Sequence, residues 1–142
     1  SQEFKQGYLV TNSDGWTVRV RIIDNKESWL TIKYPKEKFT RYEFEYKIPL
    51  SDAEELLKLA KYKLSKTRYG LHLNNQYWVV DCFKEKNFPL VLAEIELSSA
   101  EEKIQRPNWC SFEVSNLKEW SNAELAKSPI SARTIEKKPT FL

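Results

Sequence analysis

The sequence contains little glycine, histidine and cysteine and no methionine, with three Gly, one His and two Cys among its 142 residues. Because His72 is the one histidine, Ser-His-Asp catalysis, Cys-His catalysis and His-based zinc sites have few residues to build on. A glycine-rich phosphate-binding loop is also absent from the sequence. These absences argue against the commonest hydrolase, zinc-enzyme and P-loop classes.

The sequence also has no apolar run long enough to span a bilayer and no signal-peptide segment. Cys82 and Cys110 lie far apart and match no metal-ligand spacing, which is typical of a reduced pair in a cytoplasmic protein. The net charge of +3 is too small to indicate a nucleic-acid binder. We therefore expect a cytoplasmic domain without a membrane or nucleic-acid partner, as a monomer or homodimer.

The strongest pattern in the sequence is the alternation of charged and apolar residues, in a chain with 13% aromatic residues. Between residues 16 and 23, Val20 and Ile22 point to one side of an extended chain, while Arg19 and Arg21 point to the other. The same period of two predicts further strands at 6–10, 29–33, 41–46, 64–69, 77–83 and 91–97. This pattern indicates a mainly antiparallel β-sheet protein.

Two segments follow a helical period instead. Ala53, Leu56 and Leu57 recur at helical spacing, which predicts an amphipathic helix over residues 51–62. A short helix is predicted at 122–127. The segment after it is polar, basic and contains proline, so we expect one domain over residues 1–127 and a C-terminal tail over residues 128–142.

The charged sides of the predicted strands carry six basic and five acidic residues. They are Arg19, Arg21, Lys33, Arg41, Glu43, Glu45, Lys66, Arg68, Asp81, Glu94 and Glu96. A single sheet with one solvated side would give this pattern, and so would a closed barrel with a polar interior. Inward-facing cations would suit a polyanion, and the carboxylates beside them would suit the metal that accompanies it. The pattern alone leaves both arrangements open.

Two of these acids form a close pair. Glu94 and Glu96 lie two residues apart in a predicted strand, so their side chains point to the same side about 7 Å apart. Two carboxylates this close repel each other unless a cation lies between or beside them. A divalent metal or Lys and Arg side chains of neighbouring strands would serve, and a solvated strand face is the simpler alternative.

Several segments of the chain occur together in a recognisable order. They are Gln6-Gly7-Tyr8-Leu9, Thr17-Val18-Arg19-Val20-Arg21, Leu30-Thr31-Ile32-Lys33, Arg41-x-Glu43-x-Glu45, Lys66-x-Arg68, Val80-Asp81-x-Phe83, Ala93-Glu94-Ile95-Glu96 and Pro107-x-Trp109. In this order and spacing they resemble the CYTH superfamily, also called the triphosphate tunnel metalloenzymes. The resemblance runs from about residue 6 to residue 126.

The resemblance implies an α+β, mainly β fold: an antiparallel tunnel barrel of the eight-stranded type with a few flanking helices. It also implies a metal-dependent phosphohydrolase that acts on inorganic triphosphate or a nucleoside triphosphate, with Mg²⁺ or Mn²⁺ as cofactor. Two alternatives are a class IV-type adenylate cyclase and a protein that binds or sequesters a nucleotide or polyphosphate without turnover.

The resemblance also implies a role for each charged residue. The phosphate oxygens would be held by the basic residues Arg19, Arg21, Lys33, Arg41, Lys66 and Arg68. Glu94 and Glu96 would hold the metal. Asp81 and Glu43 or Glu45 would serve as a further ligand, a water-positioning base or a supporting partner.

One departure from the family pattern concerns the start of the sequence. Members of the superfamily carry a Glu-x-Glu-x-Lys strand some twenty residues before the Gln-Gly-Tyr-Leu segment. Here Glu3-Phe4-Lys5 adjoins Gln6 directly and has Ser1 where the first glutamate would stand. We interpret Glu3-Phe4-Lys5 as a chance match, so the barrel is expected to be incomplete if that strand is absent.

Overall fold

Seven strands and two α-helices carry the fold in the computed structural model, which describes residues 1–12, 14–37, 40–95, 107–110, 113–115 and 117–133. The strands are β1 (Gln2–Thr11), β2 (Thr17–Ile23), β3 (Glu27–Glu37), β4 (Thr40–Lys47), β5 (Tyr62–Leu73), β6 (Gln76–Phe83) and β7 (Val91–Ile95). The helices are α1 (Leu50–Leu59) and α2 (Asn122–Lys127). None of the helices described in these ranges is long and apolar enough to cross a membrane.

All seven strands form one antiparallel sheet in the order β4-β3-β2-β1-β5-β6-β7. The sheet is a half-barrel, and among the described strands β4 and β7 are its edges. This confirms the predicted mainly β, antiparallel fold with flanking helices. Below, the side of the sheet that carries Arg19, Arg21, Lys66, Arg68 and Asp81 is called the charged face, and the opposite side is called the apolar face.

Short turns connect several neighbouring strands. Leu73 of β5 pairs with Gln76 of β6, and the two residues between them, Asn74 and Asn75, have φ angles of 51° and 62°. Two successive left-handed residues match the twist of a hairpin, and asparagine tolerates this conformation better than most residues. The turn between β2 and β3 likewise contains two left-handed residues, Asp24 and Asn25. The turn residues therefore fix the register on which the charged face depends.

Helix α1 covers the apolar face. Val20 and Ile22 of β2 are buried against Ala53, with Leu56 and Leu57 packed around them. The helix can approach β1 closely because Gly7 has no side chain: a Cβ atom there would lie 2.7 Å from the Cβ of Ala60. The apolar residues predicted to alternate with the arginines therefore form a core with the helix.

The predicted bounds of this helix were wrong at both ends. Its first turn begins at Leu50, because the backbone N–H of Ala53 donates a hydrogen bond of 3.0 Å to the carbonyl oxygen of Pro49. Pro49 lacks an N–H of its own and loses nothing in this position. At the other end, Ala60 is extended and Tyr62 already belongs to β5.

Helix α2 lies on the charged face near one end of the sheet and matches its predicted bounds. Leu125 of α2 is completely buried in an apolar cluster with Tyr8, Leu64 and Phe83. Ile130 is buried in the same cluster. The segment that follows α2 therefore packs against the sheet as far as Ile130.

The connection before β7 holds this segment in place through Asn87, which is buried. The side-chain amide of Asn87 donates a hydrogen bond of 3.1 Å to the carbonyl oxygen of Leu125. Its side-chain oxygen accepts a hydrogen bond of 3.1 Å from the backbone N–H of Ile130. The buried side-chain amide of Asn87 therefore connects the loop before β7 to α2 and to the segment that follows α2.

Strand β1 begins earlier than predicted and contains Glu3, Phe4 and Lys5 together with the Gln-Gly-Tyr-Leu segment. Glu3 pairs in register with Thr67, on the apolar face. Its carboxylate accepts hydrogen bonds from the hydroxyl of Thr67 and the ammonium group of Lys84. Glu3 therefore takes no part in the charged face, as expected from the interpretation of Glu3-Phe4-Lys5 as a chance match.

Candidate functional site

Strand register brings the predicted charged residues to one face of the sheet. Arg19 pairs with Thr31, which pairs in turn with Glu45. On the other side of β1, Arg68 pairs with Asp81. Directly paired antiparallel residues point to the same face, and so do residues two apart in one strand. By this rule the charged face includes Arg19, Arg21, Lys33, Arg41, Glu43, Glu45, Lys66, Arg68, Asp81 and Glu94. Glu96 lies outside the described residues.

The centre of the charged face is a buried group formed by Lys66, Arg68 and Asp81. The ammonium group of Lys66 donates a hydrogen bond of 2.7 Å to Oδ2 of Asp81. Arg68 donates through Nε to Oδ1 at 2.8 Å and through Nη2 to Oδ2 at 2.9 Å. Lys66 is fully buried, and Asp81 nearly so. A single carboxylate therefore holds one buried cation, Lys66, and one partly exposed cation, Arg68.

Charge and burial oppose each other at this carboxylate. Burial acts to raise the pKa of Asp81, but the hydrogen bonds and charges of Arg68 and Lys66 outweigh it and hold the pKa below its ordinary value. A carboxylate with a lowered pKa and both oxygens engaged is a weak base. The geometry therefore favours Asp81 as a residue that positions Lys66 and Arg68 over the predicted alternative of a water-positioning base.

Lys66 has the most unusual surroundings of the cations. Burial lowers its pKa from 10.5 to about 8, although the neighbouring charge of Asp81 opposes this effect. Its ammonium group also donates a hydrogen bond of 3.1 Å to the side-chain oxygen of Asn122. The rings of Phe4 and Phe83 lie beneath it, with centroids 5.5 and 5.6 Å from Nζ. Lys66 therefore loses its positive charge closer to neutral pH than an ordinary lysine does.

The arginines of β2 have uncharged hydrogen-bond partners. Nε of Arg21 donates a hydrogen bond of 3.0 Å to the side-chain oxygen of Gln6, which is fully buried. Burial and then the nearby charges of Arg19 and Arg68 lower the pKa of Arg21 to about 10. Arg19 donates to the hydroxyl of Thr31 at 3.3 Å, and its buried Nε has no partner among the described residues. Within the described ranges, no carboxylate is hydrogen-bonded to either side chain to compensate its positive charge.

The remaining predicted residues lie toward the edge strand β4. Lys33 of β3 is 3.9 Å from Glu43, and burial followed by the charge of Arg19 lowers its pKa. Arg41, Glu43 and Glu45 are exposed. Glu45 still acts on the interior, because its charge opposes the lowering of the Arg21 pKa. These residues form a mixed-charge rim beside the buried cations.

A metal site is less complete than the cation cluster. Glu94 of β7 is exposed and faces Arg68, whose pKa is raised first by its hydrogen bonds to Asp81 and to a smaller extent by the charge of Glu94. Within the described ranges, no group of three or more His, Cys, Asp or Glu side chains is placed to hold a metal ion. Glu94 is the exposed carboxylate that these residues offer to a divalent cation, and Mg²⁺ commonly completes its coordination with water and substrate phosphates.

Five residues of the charged face were not among the predicted site residues: Phe4, Gln6, Tyr8, Thr31 and Asn122. The first three alternate along β1, so strand periodicity alone would have placed them together on one face. The hydroxyl of Tyr8 accepts a weak hydrogen bond from the amide of Gln6 at 3.4 Å, and burial raises the pKa of Tyr8. Asn122 carries no local signal, because its contact with Lys66 joins residues 56 positions apart.

The lowered pKa of Lys66 makes a pH prediction. Lys66→Met removes the charge at nearly constant size, so the parent should bind tripolyphosphate, the kind of ligand that the family resemblance implies, more tightly than the variant at pH 7. Lys66 is protonated below its pKa of about 8, so the ratio of parent to variant affinity should be largest at lower pH. Above this pKa the ratio should fall by up to about tenfold per pH unit. Calorimetric titrations of both proteins from pH 6 to pH 10 measure the ratio of their affinities. Protonation of the ligand affects both proteins equally and therefore drops out of this ratio.

Lys58→Met is the matched control for this experiment, because Lys58 is exposed on α1 at the apolar face. The affinity of this control should follow that of the parent at every pH. If the affinity ratio of parent to Lys66→Met stays constant up to pH 10, the lowered pKa of Lys66 is contradicted.

Comparisons with known proteins agree with the geometry. The model of the CYTH domain family matches residues 1–127. An inorganic triphosphatase of Acetivibrio thermocellus is 35% identical over 128 residues, which are 89% of this chain and 81% of that protein. A crystal structure described as the inorganic triphosphatase NE1496 superposes with a TM-score of 0.72 at 29% identity, over 88% of this chain and 84% of that one. A second structure, described as the hypothetical protein NE1496, gives the same values. The chain therefore belongs to the CYTH domain family.

Proposed function

We propose that this protein is a metal-dependent phosphohydrolase whose substrate is a triphosphate, with inorganic triphosphate ahead of nucleoside triphosphates. The observation that carries the proposal is the cluster of cations on the charged face, where the described hydrogen-bond partners of Arg19 and Arg21 are all uncharged. A surface that gathers uncompensated positive charge is stabilised by a polyanion. The relatives named as inorganic triphosphatases support the choice of substrate.

In this proposal the role of each cation depends on how deeply it is buried. Arg19 and Arg21 donate hydrogen bonds directly to phosphate oxygens, and the exposed part of Arg68 does the same from the other side of β1. Lys66 acts from beneath as a buried charge that Asp81 holds in place. Lys33 and Arg41 attract the anion at the rim. Catalysis then rests on positioning and on neutralising the charge that develops during phosphoryl transfer.

The proposed cofactor is Mg²⁺ or Mn²⁺, which would neutralise phosphate oxygens when bound. Glu94 is the candidate ligand among the described residues, and Glu96 joins it by sequence spacing. Glu43 and Glu45 lie on the far edge of the sheet, and Asp81 is engaged by cations. The described part of the chain thus gives only a partial fit to the metal, and we assign no step of the reaction to it.

The experiment that tests this function measures phosphate release from tripolyphosphate and from ATP with Mg²⁺ or Mn²⁺. We expect release from tripolyphosphate to exceed release from ATP. Glu94→Gln should reduce release by at least about 100-fold, while metal-free tripolyphosphate should bind as well or better, because a repulsive charge has been removed. The matched control is Glu55→Gln on the exposed side of α1, which should behave as the parent. Absence of phosphate release from the parent with either metal would contradict the proposed hydrolysis.

A second candidate function is capture of a nucleotide or polyphosphate without turnover. The cation cluster supports it as well, because Arg19 and Arg21 can hold an anion whether or not a metal is present. The same assay separates the two functions. Tight tripolyphosphate binding without phosphate release would select capture.

A further inference from the structure

A single aromatic ring contacts three of the cations on the charged face. The guanidinium carbons of Arg68 and Arg21 lie 4.7 and 4.9 Å from the centroid of the Phe4 ring, and Nζ of Lys66 lies 5.5 Å from it. Arg21 comes from β2, whereas Lys66 and Arg68 come from β5. Phe4 is on β1, between these two strands, and is 4% exposed. The ring therefore joins the cations of the two halves of the charged face.

The surroundings of Phe4 do not resemble those of an ordinary core residue. The two apolar clusters in the described part of the chain contain Tyr8, Leu64 and Phe83 on one face, and Val20 and Ile22 on the other, but neither contains Phe4. Three cations lie within cation–π distance of its ring. The ring can therefore act on these cations as well as fill space between the strands.

An aromatic ring attracts a cation without cancelling its charge. The negative face of the ring holds an ammonium or guanidinium group through the quadrupole, and the interaction strengthens when water is excluded. A carboxylate in the same place would fix the cations equally well, but it would also neutralise them and repel an incoming polyanion. Arg21 shows the difference, because its partners are this ring and the neutral amide of Gln6.

We propose that Phe4 is a positioning residue of the triphosphate site, whose ring holds Arg21 beside Lys66 and Arg68 and leaves the charge of Arg21 available to the anion. This inference rests on the proposed function for the identity of the anion. It gives β1 a role in the site, although that strand contributes no charged residue to the charged face between Gln2 and Tyr8.

The test replaces Phe4 with phenylalanines that carry an increasing number of fluorine atoms. Fluorination weakens the quadrupole while the size and shape of the ring change little. We expect the dissociation constant for metal-free tripolyphosphate to rise stepwise along the series, by about tenfold or more for the fully fluorinated ring. Phe4→Leu should have at least as large an effect, and Phe4→Tyr, which keeps the ring, should bind nearly as the parent does. A purely structural role would not follow the number of fluorines.

A second readout needs no ligand. The mobility of the Arg21 side chain, measured by NMR relaxation at Nε in the unliganded protein, should increase along the same series. Fluorination of Phe83 is the matched control: this ring is also buried, but Lys66 is the one cation that it contacts among the described residues of the charged face. Its series should leave the mobility of Arg21 unchanged and affect affinity less.

The outcomes separate the two proposals. A constant mobility of Arg21 along the Phe4 series would overturn the positioning role, whether or not tripolyphosphate binds. An affinity that does not change along the series, in a protein that binds tripolyphosphate, would overturn it as well. Rising mobility in a protein that never binds tripolyphosphate would overturn the proposed substrate and leave the role of the ring in place.

Discussion

Asp81→Asn is expected to lower the free energy of unfolding by about 3–5 kcal/mol, the cost typical of breaking a buried ion pair by removing one partner. The carboxylate of Asp81 accepts hydrogen bonds from both Lys66 and Arg68, and Lys66 is fully buried. An amide cannot compensate the ammonium charge and offers an N–H group where the cations need an acceptor. Chemical denaturation of parent and variant at pH 7 measures the loss.

Two further variants identify the cause of that loss. Adding Lys66→Met to Asp81→Asn removes the stranded cation, so the double variant should be more stable than Asp81→Asn alone. Glu43→Gln breaks the ion pair with Lys33, which is half-exposed, and should cost no more than about 1 kcal/mol. A loss below about 1 kcal/mol for Asp81→Asn would show that the buried group is not what holds this part of the sheet together.

Replacing Arg19 and Arg21 together by Gln is expected to weaken tripolyphosphate binding by roughly 100-fold or more. Hydrogen bonds to charged groups contribute about 1.5–3 kcal/mol each, and each arginine would donate at least one to a phosphate oxygen. Glutamine is preferable to alanine here, because Arg19 is buried and its side chain fills space beside Thr31. Isothermal titration calorimetry without metal gives the affinity of each protein.

The matched control removes two positive charges from the apolar face instead. Lys5→Gln with Lys58→Gln produces the same change in net charge, and neither lysine lies on the charged face. This pair should change affinity only through long-range attraction, which salt screens. Equal affinity in the parent and the double arginine variant would rule out the charged face as the binding site.

The composition of the charged face was predictable because strand geometry is local. Alternation with a period of two places Arg19 beside Arg21 and opposite Val20 in any extended chain, whatever the sheet around it. The hairpin turns were predictable for the same reason, since Asn74 and Asn75 have a conformational preference of their own. The ten described residues of the predicted site therefore lie on one face of the sheet.

The partners of those residues were not predictable in the same way. Lys66 is held by Asp81 of the next strand and by Asn122 of a helix 56 positions later, and both contacts depend on register and packing. The family resemblance left three alternative roles for Asp81, whereas its contacts favour one. Phe4 carries no charge, so the pattern of charged residues does not single it out, although its alternation with Gln6 and Tyr8 places all three on one face.

The alternation in β2 has a consequence for how such proteins can change in length. Arg19 and Arg21 belong to the binding surface, while Val20 and Ile22 lie against α1. Inserting or deleting one residue before Arg19 would turn every later side chain of the strand to the opposite side and exchange cations for core residues. Insertions and deletions should therefore be tolerated in the hairpin turns and rejected within β2. Homologous chains of different lengths are expected to keep the strict alternation of arginines and helix-facing residues along this strand.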